Sequence, residues 1–238
     1  MTYQNRSGAA ILGLSLIIGL TLLGFILAKA AIDVKEYERS VTVKGLAERE
    51  VPADVVIWPI VFTEANNDLT NLYTSIDQSK QKIVDFLIGK GIEADELTHS
   101  LPSITDKSAQ QYGGGERAEF RYVARQTVTV YSTHVDQVRK SMTELSELGK
   151  SGIAFSGEDM HQIEYLYTGL NEIKPQMIEE ATAMAREVAE KFAQDSKSKL
   201  GRIKSASQGQ FSISPRDKNN PHLQKIRVVS TVTYYLSD

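Results

Sequence analysis

Residues 40–65 read SVTVKGLAEREVPADVVIWPIVFTEA. Two extended runs meet here. Residues 40–50 alternate between apolar and polar side chains, the period of a half-buried strand, with Gly45 as a bulge or bend. Residues 55–65 are almost continuously apolar, β-branched and aromatic, which is the pattern of a buried strand. Pro59 has no N–H to give to a ladder, so this second strand is expected at a sheet edge or with a bulge at that point. A soluble domain that opens with strands of this kind must cover them.

The sequence that follows supplies the cover. Leu69, Leu72, Tyr73, Ile76, Ile83, Phe86 and Leu87 recur at helical spacing over about 68–89, with Asn67 or Asp68 as N-cap. Residues 97–105 form a weak strand, and 108–119 a loop tip around Gly113, Gly114 and Gly115. Residues 120–132, FRYVARQTVTVYS, alternate cleanly as a strand. Val135, Val138, Met142, Leu145 and Leu148 mark one further helix, and 153–157 and 161–167 two further strands. Met177, Ile178, Ala181, Met184, Ala185, Val188 and Phe192 mark a long helix over about 172–199, with Pro175 in its first turn. Strands near 203–214 and 225–236 close the chain.

All three helices end on a glycine, a basic residue and a β-branched strand start: Ile88-Gly89-Lys90-Gly91-Ile92, Leu148-Gly149-Lys150-Ser151-Gly152-Ile153 and Leu200-Gly201-Arg202-Ile203. The pieces 55–132 and 153–236 both read as strand–helix–strand–strand. The expected fold is therefore α+β: two βαββ units with antiparallel sheets and helices on one face, with candidate halves 40–132 and 133–236.

Toward the N-terminus the composition changes. The 238-residue chain carries 27 basic and 30 acidic side chains, a formal charge of −3. Residues 1–29 hold Arg6, Lys29 and no acid, and the 22 residues between them, SGAAILGLSLIIGLTLLGFILA, hold no charge. Such a helix measures roughly 33 Å, close to the hydrocarbon thickness of a bilayer. Residues 1–29 are thus a short tail and transmembrane helix, 30–39 a juxtamembrane linker, and 40–236 the folded domain. Ala28-Lys29-Ala30 before Ala31 has the small-x-small form of a signal-peptidase site. The apolar run exceeds a signal peptide's h-region of about 7–15 residues, which favours an uncleaved anchor. Lys29, Lys35, Arg39 and Lys44 outnumber Arg6, but long domains translocate largely regardless of flanking charge, and a six-residue tail left inside is the simpler arrangement. Ala9, Gly13, Gly24 and Ala28 fall within about 100° of one helical face, and Ser15 and Gly19 form a small pair on another; such faces let membrane helices approach closely.

Chemistry is harder to place. There is no cysteine, which excludes disulfides, thiolate-bound metals and thiol nucleophiles. The net charge argues against a nucleic-acid-binding chain, and Lys197, Lys199, Arg202 and Lys204 lack interleaved aromatics. Gly149-Lys150-Ser151 has Glu144 where a phosphate loop needs glycine, and reads as a helix end. His99, His134, His161 and His222 are scattered without a metal-binding spacing, no G-x-S-x-G elbow exists, Ser156-Gly157-Glu158-Asp159 is a polar turn, and Glu179 and Glu180 sit on a solvated helix face. No catalytic, cofactor-binding or metal residue is expected, and no small-molecule substrate is identified.

Ser40-Val41-Thr42-Val43-Lys44-Gly45 followed by Val51-Pro52-Ala53-Asp54-Val55 resembles the SIMPL-domain proteins (DUF541, YggE-like) of bacterial envelopes, which have a V-x-G strand and a P-D-x-A turn there. Gly91-Ile92 with Asp95-Glu96-Leu97, Tyr122-Val123-Ala124 to Val128-Thr129-Val130, and Ala185 to Leu200-Gly201 before Ile203 extend the likeness over about 40–236. Lys44 and Leu46 stand where the family has small residues, and the 106–119 loop keeps little beyond a Tyr-Gly pair. The resemblance implies an exported or membrane-anchored protein of the bacterial cytoplasmic membrane, its domain periplasmic or extracytoplasmic. It also implies association with oxidative-stress defence and, as in some members, a ring-like homo-oligomer. It carries over no catalytic residue.

The reading is a non-enzymatic, self-assembling anchored protein that partners lipid through one helix and further copies of itself through its domain. The final strand, with Ile226, Val228, Val232, Tyr234 and Tyr235, has no Pro or Gly and a single charge at Arg227; it lacks most of the devices that protect an edge and is the candidate self-association strand, although the same pattern fits a strand central in its own sheet. The competing classes are a ligand- or partner-binding periplasmic module, with the 106–119 loop as a contact, and a hydrolase.

Overall fold

The computed structural model describes residues 4–37, 39–109, 119–156 and 163–237. It is α+β, with an N-terminal apolar helix followed by antiparallel sheets and helices. The elements are α1 (Gln4–Tyr37), β1 (Ser40–Pro52), β2 (Val55–Asn66), α2 (Leu69–Gly89), β3 (Leu97–His99), β4 (Ser103–Asp106) and β5 (Tyr122–Ser132). There follow α3 (Val135–Thr143), α4 (Ser146–Lys150), β6 (Ala154–Phe155), β7 (Glu164–Leu166), α5 (Leu170–Asp195), β8 (Lys199–Gln208), β9 (Ser212–Pro215) and β10 (Leu223–Ser237). Residues 30–37, read as a linker, continue α1 as helix. The glycine-rich tip read at 108–119 is described only through Ala109 and from Glu119 on, and Gly157 to Gln162 also lie outside the described residues.

The domain falls into two compact units that interleave in sequence instead of following the expected halves 40–132 and 133–236. One comprises residues up to Glu48 with Lys174–Phe211 and Arg227–Asp238; the other comprises Arg49–Ile173 and Ser212–Ile226. Each holds one β-α-β-β motif with the same strand order. In the second unit β2, α2, β3 with β4, and β5 give the order β3-β5-β2, with β4 continuing β3 along β5. In the first unit β1, α5, β8 and β10 give the order β1-β10-β8. Both place the last strand between the other two. The duplication is thus nested: the first strand of the outer repeat is β1, and the inner repeat is inserted between it and α5.

The ladders are antiparallel. β2 and β5 pair over Val56↔Ser132 to Asn66↔Tyr122 without a register shift. β8 pairs antiparallel with β10 with shifts between Thr233 and Leu236. Along β1 and β10, the Arg39 carbonyl accepts from Leu236 N–H, the Thr42 and Thr233 hydroxyls lie 2.9 Å apart, and the Ala53 N–H donates to the His222 carbonyl. The partner numbers fall as the others rise, so this pair is antiparallel too.

Pro59 does not mark an edge or a bulge. It faces Thr129 in regular register on β2, which is interior between β5 and the short strands β6 and β7. Those two pair with Phe62–Thr63 and with Val55–Ile57, so Pro59 falls in the gap between them, where a missing donor breaks no ladder.

Alternate residues Val56, Trp58, Ile60 and Phe62 of β2 and Ala124, Val128 and Val130 of β5 form one buried face. Leu72, Ile76, Ile83 and Leu87 of α2 cover it, with Val138 of α3, Leu145 just before α4 and Leu148 within it. Burial of each such side chain stabilises by about 1.5–3 kcal/mol. The single helix read over Val135–Leu148 is two, because the chain turns through 3-10-type bonds at Glu144 and Leu145 to bring Leu145 and Leu148 back to this core. Asp68 caps α2 by accepting from the Asn71 N–H at 2.8 Å. In the first unit the core is smaller: Val43, Ala185, Ala189, Val232 and Tyr234, flanked by Val41 and Leu200.

The helix ends share one geometry, displaced from the glycines read as caps. At α2 the Gly91 N–H donates to Ile88 and the Ile92 N–H to Leu87; at α4 Gly152 donates to Gly149 and Ile153 to Leu148; at α5 Lys197 donates to Gln194 and Ser198 to Ala193. All three are Schellman motifs. The left-handed residue is Gly91 (φ 84°), Gly152 (φ 92°) and, in α5, Lys197 (φ 57°). The long helix therefore ends at Asp195 and begins at Leu170, so Leu200 and Gly201 belong to β8 and Pro175 lies in the second turn, not the first.

Candidate functional site

Motif residues 45–54 run along β1 and through the turn into β2. Gly45 lies against α5: a Cβ built on it would stand 1.8 Å from the Ala181 carbonyl oxygen and 2.5 Å from the Ala185 nitrogen. The glycine is neither bulge nor bend but a point where strand and helix backbones meet, and the fully buried alanines 181, 185 and 189 complete that contact. Asp54 accepts from the Thr168 N–H and hydroxyl at 2.9 Å and from the Gly169 N–H at 3.2 Å, where the chain enters α5. Its own N–H donates to the Leu166 carbonyl. Each of these two residues thus has a local structural role within its own unit.

Beside Pro52 and Ala53 opens a cleft of about 630 Å³, lined also by Thr133, His134, Val135, Asp136, Gln137, Lys140 and His222. The first turn of α3 supplies most of the wall, because the Ser132 hydroxyl takes the His134 N–H and turns the chain from β5 into the helix. His134 Nδ1 lies 3.4 Å from a Glu96 carboxylate oxygen. Burial works to raise the Glu96 pKa, but hydrogen bonds from Ser132, the Glu93 backbone and His134 together hold it below the usual value. Gln137 Nε2 donates to the Lys90 carbonyl at 2.9 Å, tying the cleft wall to the end of α2. Lys90 in turn pairs with Glu144 and Glu147 and lies 5.1 Å from the centroid of the Phe86 ring.

His222 meets Tyr165 edge-on at 6.2 Å between ring centroids. Desolvation, then Arg139, lowers the His222 pKa, so its imidazole is neutral at pH 7. Desolvation raises the Tyr165 pKa, and its hydroxyl lies 3.8 Å from Met142 Sδ. The cleft thus offers two imidazoles, an ammonium, a carboxylate and an amide on an open surface. Among the described residues no three His, Cys, Asp or Glu stand together as a metal site. The histidines look unrelated in sequence; antiparallel pairing of β1 with β10 and the turn after β5 bring His134 and His222 to one cleft, while His99 lies on β3 and His161 outside the described residues. The local signal that could have pointed here is the Pro52-Ala53 turn.

The other expected site residues lie elsewhere. Gly8–Ile32 of α1 is long and apolar enough to cross a membrane, with mean hydropathy 2.6 and no residue buried. Ala9, Ser15 and Ala28 are exposed, and Gly13, Gly19 and Gly24 have open space where a Cβ would stand. The candidate self-association strand is not an edge. β10 lies between β1 and β8, and Ile226, Val228, Val232 and Tyr234 are buried in the domain itself; Tyr235 alone of the five is exposed. Its unprotected sequence reflects a central strand, which needs no edge devices.

Fold and site together define a small α+β domain on a nested β-α-β-β duplication, behind an apolar helix of membrane-spanning length. The chain belongs to the SIMPL family, described as proteins of unknown function (DUF541), whose family model matches residues 41–234. No curated protein matches the chain as a relative.

Proposed function

We propose that this SIMPL protein is a single-pass, uncleaved protein of the bacterial cytoplasmic membrane. Its domain stands on the extracytoplasmic side and acts by assembling with further copies into a closed homo-oligomer, without chemistry of its own, in an envelope role tied to oxidative-stress defence. The observation that carries the reading is α1. Its apolar stretch from Gly8 to Ile32 leaves every side chain uncovered, as suits a helix set in lipid or against other membrane helices. Gly13 and Gly24, with nothing within 4 Å of a built Cβ, allow such helices to approach. The stress link rests on the family resemblance. Protease added to spheroplasts tests the topology: residues 40–238 are digested before lysis if the reading holds, and survive if the domain is cytoplasmic. Intact mass tests retention: residues 1–30 are present in an anchor, whereas a mature terminus at Ala31 identifies a signal peptide.

A second reading, a ligand- or partner-binding module, is favoured by the cleft of about 630 Å³. It predicts that a His222→Ala or Lys140→Ala variant keeps its fold and particle mass yet fails to restore oxidant resistance to cells lacking the protein.

A further inference from the structure

The duplication supplies an internal comparison. Aligning α2 and α5 on their Schellman ends, Gly91 with Lys197, places Gln78, Lys82 and Phe86 of α2 against Met184, Val188 and Phe192 of α5. In α2 the two exposed positions are polar, and Phe86 is packed against its core. In α5 the same three positions are apolar and all exposed: Met184 by 49%, Val188 by 40% and Phe192 by 55%. They follow one another every four residues on one flank of α5, beside the buried row Ala181, Ala185, Ala189 and Ala193. One repeat thus keeps this face wet and the other makes it greasy, at equivalent places.

We propose that this face of α5 is the self-association surface, and that it packs antiparallel against α5 of a second copy around a two-fold axis at Val188. The inference rests on the homo-oligomer reading above. Three features of the helix select a second copy as the occupant. Antiparallel pairing about Val188 sets Met184 opposite the partner copy's Phe192, a favourable thioether–aromatic contact, and does so twice. Glu187 and Lys191, exposed side by side along one flank, then meet their opposites across the axis as two Glu–Lys pairs, because in antiparallel helices like flanks face each other. The apolar area of three side chains falls far short of the roughly 800 Å² per partner of a stable soluble complex. Such a surface suits copies already confined to one membrane by α1, where effective concentration makes a weak contact sufficient.

The chain has no cysteine, so single thiols report the geometry cleanly. Full-length Val188→Cys, Glu190→Cys and wild type are reconstituted in vesicles and treated with copper–phenanthroline as oxidant. Val188→Cys is expected to form a disulfide-linked dimer about tenfold faster than Glu190→Cys, which lies off the face. Val188→Glu, at an exposed position where the fold tolerates charge, is expected to reduce the particle mass in mild detergent while circular dichroism stays unchanged. If wild type is oligomeric but Val188→Cys cross-links no faster than Glu190→Cys, the interface is elsewhere and this inference fails while the homo-oligomer reading stands. If wild type is monomeric, both fail. Quenching of a fluorophore on Val188→Cys by nitroxide lipids would show the face resting on the bilayer, and would equally overturn the proposal.

Discussion

Replacing Gly45 by alanine places a methyl group 1.8 Å from the Ala181 carbonyl oxygen, 2.5 Å from the Ala185 nitrogen and 3.0 Å from the Ala181 carbonyl carbon. These are backbone atoms, so no rotamer change relieves the clash. Ordinary contact needs about 3.4 Å or more, and α5 would have to retreat by roughly 1.5 Å from β1. Over-packing commonly costs 1–3 kcal/mol. Here the retreat also opens the alanine row 181, 185 and 189, each fully buried, so the expected loss is at the upper end, about 3 kcal/mol. In a domain of some 200 residues that lowers Tm by about 6–12 °C. The assay is thermal and urea unfolding of Gly45→Ala beside Gly89→Ala. Gly89 closes α2 with nothing within 4 Å of its built Cβ, so its variant should lie within about 0.5 kcal/mol of wild type or slightly above it. A Gly45→Ala protein as stable as the Gly89→Ala control would refute the close-approach account of this motif residue.

Lys197 occupies the left-handed position of the α5 Schellman end, where the other two helix ends use glycine; Lys197→Gly should raise stability by about 1 kcal/mol, measured by urea unfolding. Asp54→Ala removes the acceptor shared by the Thr168 N–H, the Thr168 hydroxyl and the Gly169 N–H; a loss of about 2 kcal/mol is expected, with faster hydrogen exchange at those two amides. A guanidinium hydrogen bond from Arg121, with further bonds from Ser108, lowers Asp106 from 3.8 to about 2, and Arg216 does the same for Asp217. Their folded-state pKa lies below the unfolded one, so the stability they contribute is complete above about pH 4 and is lost as pH falls through about 2; Arg121→Met should flatten that part of a Tm–pH curve. His222, held neutral by desolvation below its ordinary 6.5, acts on a higher window. The unfolded chain takes the proton first, so stability drops as pH falls below about 6.5, and His222→Gln should remove that drop.

Much of the fold was legible because its periods are unmixed. The apolar spacing of α2, the alternation of β5 and the cap at Asp68 each follow from local chemistry, and the structure has them where the pattern puts them. Errors arose where long-range pairing decides. Pro59 marks an edge by the usual rule, yet the two short strands that flank it leave a gap at its position. The unprotected final strand fits an exposed edge or a central strand equally, and pairing with β1, nearly two hundred residues earlier in the chain, makes it central. The same separation hid the nested duplication, since the first strand of the outer repeat is the first of the domain. Glycines at 89, 149 and 201 carry the sequence pattern of caps, but hydrogen-bond geometry puts the left-handed residue at 91, 152 and 197, the last of them a lysine no propensity would choose. The cleft was invisible for a simpler reason: His134 and His222 share no sequence motif and meet only through strand pairing.

The central claim, an anchored SIMPL protein that works as an assembly of copies, is tested most directly by the protein mass of the detergent-solubilised full-length particle. Light scattering coupled to size exclusion, at micromolar concentration in mild detergent, should return a single species whose protein mass is 26.4 kDa multiplied by a whole number of two or more. A monodisperse particle of 26.4 kDa itself would contradict the account.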